Sequence, residues 1–563
     1  TPFYSEGLRQ FQELNYEAML MFDKQLNEDF SLKVNAGANV RTTSYFRNIA
    51  ETSGGLNIAN EPFRLSNSVD PIVIDDYNRV KQVNSLFANA SIGWKYLLYL
   101  DVTGRNDWSS TLPSDNWSYF YPSVTGTFVF SELAGLQDAE WLSFGKVRAG
   151  WASVGNDTDP YNLIETYTNY APNFNGVPRY SVPNSLPNPE LLPERTNSWE
   201  VGTEMSFLDN RLGIDFTYYN MVTNDLITSI DITAATGYTS QWINAGKMAN
   251  DGIELMLSGT PVRNSNFEWN IAFNFAKNNN ELLELHEDIE NYRLVNGPFK
   301  VTVNASVGQP YGVLMGSDFI YDDNGTKLVN TSGRWQKTSS VNEVLGSVMP
   351  NYNLGIINNF KIFGLDLGCV IDIQNGGSYF STSYMWGMYS GMLEETVWCD
   401  YYEDLDVSPL HPELEDIRAY GEDGQNGVIL NGVYGYWDSE NEVAVYTDAE
   451  GNVVDSPVAN ETAIPDWLYG ADYYYRPDAQ EVFDASYIKL RELTLGYTLP
   501  KKMTGPINNL RIAAYGRNLM IWGLDNPHFD PESAITGSGN IQGIEGAALP
   551  SMRNFGINLS FNF

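Results

Sequence analysis

The three histidines are the residues whose type is best suited to acid–base catalysis or zinc binding. They are His286, His411 and His528, and all three fall in long segments between predicted strands. Catalysis or zinc binding needs further ligands or proton-transfer partners at a suitable spacing, and no such motif surrounds any of the three. We therefore expect exposed loop histidines and neither an enzyme nor a metal site.

Two acidic segments have a composition that could bind calcium. Asp322-Asp323-Asn324-Gly325 resembles the start of a calcium loop but lacks the later bidentate acid, which favours a tight polar turn. A second, longer run could hold calcium between loops, although solvated charge is the simpler interpretation; its members are Glu394, Glu395, Asp400, Glu403, Asp404 and Asp406. The sequence predicts no resident cofactor, with loop calcium as the alternative.

Aromatic residues are concentrated in the longest segment between predicted strands, which follows Gly376. Large flat side chains with a polar handle suit stacking on sugars or burial against a protein partner. The candidates for substrate or partner contact are Trp386, Trp398, Tyr401, Tyr402, Trp467, Tyr469, Tyr473 and Tyr474. We expect the three tryptophans to be the partner anchors. Packing within the loop and direct substrate contact both stay open at this point.

The elements that carry these loops are predicted from a strict alternation of apolar and polar residues. Side chains of a strand point to opposite faces with period two, so each such segment has one apolar face. In two segments the residues of that face, which we expect to contact lipid, are Phe267, Trp269, Ile271, Phe273 and Phe275, and Phe555, Ile557, Leu559, Phe561 and Phe563. Cys369 lies in the apolar register of a third segment, with Leu365, Leu367 and Ile371. We therefore expect its thiol to face lipid and to be chemically unreactive.

The spacing of these segments distinguishes a membrane barrel from a water-soluble sandwich. Short connections follow the odd-numbered strands and long ones follow the even-numbered strands, including 45–82 and 155–194, which is typical of periplasmic turns and external loops. We predict fifteen strands, at 14–24, 30–42, 83–94, 96–106, 119–130, 141–153, 195–207, 211–222, 247–259, 266–277, 351–361, 364–375, 486–499, 509–521 and 553–563. The predicted fold class is all-β, a transmembrane antiparallel β-barrel.

The composition is compatible with that fold and argues against nucleic-acid binding and against a cysteine-based disulfide or metal framework. The net charge is −37, from 33 Lys+Arg against 70 Asp+Glu, so nucleic acid is a poor partner. Cys369 and Cys399, the only cysteines, cannot form a disulfide framework or a metal cluster by themselves. There is no apolar run of about 18 residues, so the sequence predicts no transmembrane helix. No signal peptide opens the chain at Thr1, so we expect the sequence to start inside a longer precursor or after processing.

Several motifs resemble the SusC/RagA family of TonB-dependent transporters. Each motif is weak alone, but their order over nearly the whole chain is specific. They are Asp101-Val102-Thr103-Gly104-Arg105-Asn106-Asp107-Trp108-Ser109-Ser110, Tyr119-Phe120-Tyr121-Pro122-Ser123, Lys146-Val147-Arg148-Ala149-Gly150-Trp151 with Gly155-Asn156, Asn188-Pro189-Glu190-Leu191-Leu192-Pro193-Glu194-Arg195, Asn244-Ala245-Gly246, Asn250-Asp251-Gly252-Ile253-Glu254, Tyr487-Ile488-Lys489-Leu490-Arg491-Glu492 and Gly516-Arg517-Asn518-Leu519.

This resemblance implies a plug followed by a 22-stranded barrel, of which residues 1–563 would be about the last fifteen strands. The plug, the TonB box and the first strands would then precede Thr1. The resemblance also implies an outer-membrane location with external loops and a periplasmic C-terminus. Its partners would be TonB, lipid, a SusD-like surface lipoprotein and a glycan fragment or peptide as cargo, with a dimer of transporter–lipoprotein pairs as one assembly.

Two other functions are compatible with the pattern. One is a passive outer-membrane pore or surface-binding barrel without energy coupling. The other is a soluble all-β glycan-binding protein, which would not partition with detergent-extracted membranes. An importer differs from both in requiring a plug and a TonB box.

Overall fold

The computed structural model is all-β and divides into two compact units. The first comprises residues 1–210, 215–251 and 283–288, and the second residues 211–214, 252–282 and 289–563. The structure describes residues 3–59, 63–286, 289–297, 301–393, 417–419, 427–465, 469–470, 475–505, 507–533, 542–546 and 548–562.

The first unit is an antiparallel meander in which each long strand pairs with the next along the chain. Its strands are β1 (Ser5–Gln25), β2 (Phe30–Leu56), β3 (Ser68–Trp94), β4 (Leu98–Ser109), β5 (Ser118–Phe128), β6 (Leu142–Asn156), β7 (Glu194–Phe207) and most of β8 (Leu212–Asn224). The next strand, β9 (Lys247–Arg263), contributes residues to both units.

The second unit continues the same antiparallel pattern. Its long strands are β10 (Phe267–Glu284), β11 (Tyr352–Ile362), β12 (Leu365–Asn375), β13 (Tyr487–Thr498), β14 (Asn508–Trp522) and β15 (Asn554–Asn562). Every one of the fifteen predicted strands is therefore present, in chain order.

Two predicted connections differ from the structure. The segment 45–82 was expected to be a long loop, but β2 extends to Leu56 and β3 begins at Ser68. The two strands stay in register as far as Glu51 opposite Val73, with bulges beyond it. Their outer halves mix polar and apolar residues without a regular period of two, which hides the hairpin from an alternation search. The connection 110–117 after β4 is also shorter than 129–141 after β5, so loop lengths alternate regularly only from β6 onward.

The tight turns show why neighbouring strands reverse so sharply. Lys95 and Tyr96 join β3 to β4 with positive φ angles of 53° and 59°, and Phe363 with Gly364 joins β11 to β12 with 49° and 88°. Two-residue hairpin turns with positive φ match the twist of antiparallel strands. These connections are the short ones that the sequence predicted.

The two faces of the meander differ in chemistry. Trp269 stacks on Phe360 with ring centroids 5.8 Å apart, and Ile557 is 74% exposed. On the opposite face Arg511 pairs with Asp366 at 3.1 Å and Arg517 pairs with Glu492 at 2.7 Å. One face is thus apolar and the other carries ion pairs.

The long connections contain secondary structure of their own. In the first unit Thr168–Phe174 pairs with Val177–Ser181, and Ser185–Leu186, Ile227–Asp231 and Ser240–Asn244 form a three-stranded sheet. In the second unit the small sheets are Asn291–Asn296 with Thr302–Ser306, Val313–Gly316 and Glu343–Ser347; Leu328–Val329 with Val433–Asp438 and Val443–Tyr446; Ser378–Ser381 with Val482–Asp484 and Ile544–Glu545; and Ile417–Ala419 with Val428–Leu430.

Helices are few and short. The α-helices are α1 (Thr382–Tyr389) and α2 (Lys501–Thr504), and short 3-10 turns lie at Leu65–Asn67, Phe130–Glu132, Ala234–Thr236, Asp478–Glu481 and Pro531–Ser533. Within the described part of the chain, no helix has the length and apolar character needed to cross a membrane.

Candidate functional site

In the first unit, motifs that are far apart in the sequence meet where the loops leave the strands. The Asn244 side chain accepts a hydrogen bond from the Leu192 amide at 2.7 Å and donates to the Leu192 carbonyl at 2.8 Å. It also donates to the Asp225 carbonyl at 3.0 Å. One asparagine therefore joins three chain segments, as a backbone pairing would.

Two further groups complete this set of contacts at the base of the loops, which we call the loop root. The Glu194 carboxylate accepts from the Asn156 side chain at 2.9 Å and from the Ile227 amide at 2.8 Å. Leu191 is fully buried against Tyr119. The motifs that carry the family resemblance in this half of the chain are therefore structural contacts that fix where the loops begin.

Buried charges next to the loop root are neutralised within the protein. Asp157 pairs with the Lys81 ammonium and accepts from the Ser109 hydroxyl at 2.5 Å. Asp107 accepts from the Arg105 guanidinium at 2.8 Å and from the Tyr121 hydroxyl. Each carboxylate already has a cation and a hydroxyl as partners, so this cluster holds neighbouring strands and the loop root together.

In the second unit the long loops pack around an apolar core of their own. Aromatic residues dominate it: Tyr384 meets Phe483 edge to face at 4.9 Å, and Trp335 meets Phe319 at 5.4 Å. The buried members are Phe319, Val329, Trp335, Tyr379, Tyr384, Met388, Val428, Leu430, Ile464, Tyr469, Phe483 and Ala485. We call this assembly the loop core.

A small cleft opens into the loop core, with a cavity volume of about 30 Å³. Tyr475 is exposed at it, and the Arg334 guanidinium lies 5.1 Å from the centre of the Tyr475 ring. The residues that line it, called here the loop cleft, are Arg334, Trp335, Leu430, Ile464, Tyr469, Tyr475, Arg476 and Pro477.

Arg476 is the buried cation of the loop cleft, with only 7% of its surface exposed. Its Nη2 lies 3.0 Å from a Glu481 oxygen, and its Nη1 donates to the Tyr469 carbonyl at 3.3 Å. Nε has no hydrogen-bond partner among the described residues, and Nη2 meets Glu481 as an ion pair without forming a hydrogen bond. Burial raises the pKa of Glu481 to about 7.

Helix α1 begins at a buried acidic cap. The Ser381 hydroxyl accepts from the Tyr384 amide at 3.0 Å, as an N-cap does. The buried Glu545 carboxylate accepts from both the Ser381 and the Ser383 hydroxyls at 2.7 Å. The cap holds α1 with Tyr384 in the loop core and Trp386 43% exposed, the Trp386 ring meeting Tyr389 edge to face at 5.4 Å.

An ionic cluster ties the loop after β14 to strand β13. Lys489 donates to Asp530 at 2.6 Å and contacts Glu532, and the Arg491 guanidinium donates to Glu532 and to Asp372 at 2.5 Å. Burial alone would raise the pKa of Glu532, but the hydrogen bonds from Arg491 and Lys489 lower it to about 2. The Lys489-Leu490-Arg491 segment of β13 therefore holds the loop after β14 against this strand.

The predicted site residues are placed as follows. Trp386 is exposed on α1, whereas Tyr469 is 2% exposed and packs in the loop core. On the apolar strand faces, Phe555, Ile557, Leu559 and Phe561 are exposed, and Phe267, Trp269, Ile271, Phe273 and Phe275 are partly covered by neighbouring side chains. Outside the described residues lie Trp398, Tyr401, Tyr402, Trp467, Tyr473, Tyr474 and Phe563.

The candidate ligand residues have the following surroundings. One Asp322 oxygen accepts from the Thr326 amide at 2.7 Å and the other from the Tyr446 hydroxyl at 3.0 Å. Although burial raises the pKa of Asp322, these bonds lower it overall. His286 and His528 are exposed. His411, Cys399 and the acidic run from Glu394 to Asp406 lie outside the described residues.

Sequence reasoning did not identify the loop cleft. Arg334-Trp335 and Tyr475-Arg476-Pro477 are 140 residues apart, and neither has a recognisable motif. The only local signal is that each of these two segments contains an arginine beside an aromatic residue. Arginine suits stacking on aromatic rings and bidentate recognition of carboxylates.

Comparison with known proteins yields one family. The family described as "TonB dependent receptor-like, beta-barrel" matches residues 2–385. TonB-dependent receptor P26 of Formosa agariphila is 26% identical over 98% of this chain and 53% of its own length. TonB-dependent receptor SusC of Bacteroides thetaiotaomicron is 28% identical over 43% of this chain and 25% of its own length.

A solved structure shares the fold. The RagAB peptide importer in its closed-closed state matches with a TM-score of 0.71 and 20% identity, covering 99% of this chain and 56% of the other. The chain spans about half the length of the curated relatives that it matches over most of its own length.

Proposed function

The chain belongs to the TonB-dependent receptor-like, beta-barrel family, and from that premise we propose that it forms part of an energy-driven importer in the bacterial outer membrane. The observation that carries the proposal is the two-faced meander, with exposed apolar residues such as Ile557 on one face and ion pairs such as Arg511–Asp366 on the other. A strand wall with these faces suits lipid outside and a water-filled lumen inside.

The proposed orientation places the short turns in the periplasm and the loop core outside the cell. Transmembrane barrels have short periplasmic turns and longer external loops. The tight connection at Phe363-Gly364 and the long segment 376–486 on the other end of β12 fit this arrangement. The C-terminus of β15 then lies on the periplasmic side.

Energy coupling is tested by uptake in cells that produce the full-length gene product. Cells would receive labelled glycan fragments and labelled peptides, since RagAB is a peptide importer and the SusC-type resemblance implies glycans. An importer requires periplasmic accumulation that a protonophore abolishes. Uptake that is insensitive to the protonophore would instead support a passive pore.

The proposed partner is a SusD-like surface lipoprotein that covers the external loops. Exposed tryptophan and tyrosine side chains carry much of the energy of protein interfaces, and Trp386 with Tyr389 forms such a pair on a capped helix. The helix is held by the loop core, so the pair is presented without an ordering cost on binding. We place the lid contact on this surface of α1.

Co-purification tests that contact. Replacing Trp386 and Tyr389 by alanine should cost about 2 kcal/mol or more for an interface anchor, and retention of the lipoprotein should fall at least ten-fold. Trp437→Ala is the matched control, because Trp437 is 40% exposed on a different strand of the loops. If the double variant retains the lipoprotein as fully as Trp437→Ala does, the lid binds elsewhere. The proposal requires no covalent chemistry of this chain.

A further inference from the structure

The hairpin of β2 and β3 extends beyond the strand that flanks it. Strand β4 ends at Ser109, which pairs with Val83 of β3. From there β3 continues outward as far as Ser68, paired with β2 alone. Among the residues that the structure describes, no strand covers the other edge of β3 between Ile74 and Val80. We call this stretch the β3 edge.

The backbone of the β3 edge directs unpaired hydrogen-bonding groups away from the hairpin. The Gln82 amide donates to the Ser110 hydroxyl, and the Gln82 carbonyl accepts from the Ser110 amide, both at 2.9 Å, so both groups of Gln82 face away from β2. The facing side alternates along an antiparallel ladder, and β2 and β3 pair without a bulge as far as Val73. The N–H and C=O groups on the free side, which have no hydrogen-bond partner in the described ranges, therefore belong to Ile74, Asp76, Asn78 and Val80.

The β3 edge lacks the usual protection against a further strand. Proteins commonly block an exposed edge with lysine, proline or a bulge, but the segment from Val73 to Val80 contains neither lysine nor proline. Ile74 and Val80 are 56% and 48% exposed, and β-branched residues favour the extended backbone. The edge is therefore open to strand addition.

Contacts between β2 and β3 hold the edge in place. Arg47 of β2 pairs with Asp75 of β3 at 2.7 Å, and its guanidinium lies 5.5 Å from the centre of the Tyr77 ring. The Arg79 guanidinium likewise lies 5.3 Å from the centre of the Tyr45 ring. An added strand would therefore meet an edge that is already ordered, which lowers the cost of binding.

The side chains of the β3 edge indicate the chemistry of the added strand. Asp76 is exposed and has no ion-pair partner among the described residues, and it lies on the same face as Ile74 and Val80. Residues directly opposite each other on paired strands interact, and opposite charges attract there. A lysine or arginine with apolar residues at alternate positions is the complementary pattern, and the net charge of −37 favours a basic segment.

We propose that the β3 edge binds an extended basic segment of a second protein, which adds as an antiparallel strand with a lysine or arginine opposite Asp76. Ile74, Asp76 and Val80 share the even-numbered register of Leu86 and Ile92, which are exposed on the apolar face. The choice of a partner protein over imported cargo rests on the proposed function, which places the lumen on the opposite face, where the ion pairs lie.

The test is binding of the fluorescein-labelled peptide Val-Thr-Thr-Thr-Lys-Thr-Val to the purified full-length protein in detergent, measured by fluorescence anisotropy. In the proposed register its lysine lies opposite Asp76, and its two valines lie opposite Val80 and Ile74. It should bind about five-fold or more tightly than the same peptide with glutamate in place of lysine. Equal binding of the two peptides would overturn the proposal.

Methylation of the peptide backbone tests whether the segment adds as a strand. N-methylation of the third and fifth peptide residues, whose N–H groups face β3, should abolish binding. N-methylation of the fourth residue, whose N–H group faces away, should leave binding unchanged and is the matched control. Equal binding of the two methylated peptides would exclude strand addition.

Two variants of the β3 edge test its side chain and its backbone separately. Asp76→Lys should reverse the preference, so that the glutamate peptide binds more tightly, whereas Glu440→Lys, the same charge change at an exposed loop position, should not. Asn78→Pro removes an edge-facing N–H and leaves the ladder with β2 intact, and it should weaken binding of the lysine peptide about ten-fold. An unaltered preference in Asp76→Lys would overturn the proposal even if Asn78→Pro does not fold.

Binding and transport fail separately in this design. If the lysine peptide binds with the expected pattern but uptake of the labelled cargo does not depend on the protonophore, the proposal for the β3 edge stands and the importer proposal falls. If the lysine peptide accumulates in the periplasm and Asn78→Pro abolishes that accumulation, the edge receives cargo and the proposal of a partner protein is overturned.

Discussion

At the residue scale, single polar side chains join segments that the strands leave apart. Asn244 makes three hydrogen bonds to the backbone of Leu192 and Asp225, and Glu194 bonds both Asn156 and the Ile227 amide. An amide or carboxylate can serve several backbone groups at once, which an apolar residue cannot. The loop root therefore depends on a few side chains whose loss leaves backbone groups unpaired.

Replacing Asn244 by alanine should destabilise the loop root by about 1–3 kcal/mol, the cost of leaving such groups unsatisfied. Hydrogen exchange of the Leu192 amide, which donates to the Asn244 oxygen, should become faster in the variant. Asn224→Ala is the control, because the Asn224 side chain makes one hydrogen bond at the long distance of 3.5 Å. Equal exchange in both variants would contradict the role assigned to Asn244.

Glu481 should make the loop core sensitive to pH. Burial raises its pKa from 4.5 to about 7, so between these values the folded state binds more protons than the unfolded state. The stability of the loop core should therefore be highest below pH 4.5 and decrease as the pH rises towards 7.

Hydrogen exchange of the amides in Val482–Asp484 measures this effect. Protection should decrease between pH 5 and 8, after correction for the intrinsic exchange rate, in the unmodified protein and in the exposed control Glu440→Gln. Glu481→Gln should lack that decrease. An unchanged pH dependence in Glu481→Gln would assign the effect to another group.

At the element scale, the period of two decides which face each residue occupies. In β10 Trp269 stacks on Phe360, whereas the Asn270 side chain bonds Glu268 and Thr260 on the other face. Paired residues of antiparallel strands lie on the same side, so the faces continue from strand to strand. Cys369, opposite Leu493, lies on the apolar face for the same reason.

Spin labels at positions 269 and 270 should therefore report different surroundings. In a background with Cys369 and Cys399 replaced by serine, a label at Trp269→Cys should be accessible to oxygen from lipid. A label at Asn270→Cys should be accessible to a water-soluble nickel reagent instead. Equal access of the nickel reagent to both labels would exclude lipid contact for this face of β10.

At the scale of the whole molecule, β15 presents exposed apolar residues along one face. Phe555, Ile557 and Leu559 of β15 are all at least 60% exposed, and Phe563 continues their register in the sequence. Aromatic residues of outer-membrane barrels form girdles at the two membrane interfaces.

Deleting Phe563 should impair assembly of the full-length protein in cells, because an aromatic residue in the apolar register of Phe555, Ile557 and Leu559 is lost. The measurement is the fraction of protein that shows a heat-dependent shift on a gel, and it should fall clearly below that of the unmodified protein. Phe563→Tyr keeps the aromatic ring and is the control. Normal heat-dependent migration of the deletion variant would remove Phe563 from the assembly signal.

The sequence by itself determined the strands, because alternation is a local property that the backbone imposes on every second residue. All fifteen long strands, such as β10 and β15, lie where the pattern placed them. The family resemblance was also readable from motif order and is confirmed by the family match. The extension of β2 and β3 was missed, since its apolar residues do not recur with a period of two although the two strands pair there.

The environment of the loop residues, in contrast, follows from contacts that the folded chain makes between distant segments. Tyr469 and Trp386 are both loop aromatics in the sequence, yet the first is buried in the loop core and the second is exposed on a capped helix. Arg334 and Arg476 line one cleft although they are 142 positions apart in the sequence. Burial and proximity depend on contacts between distant segments, and no local period encodes those contacts.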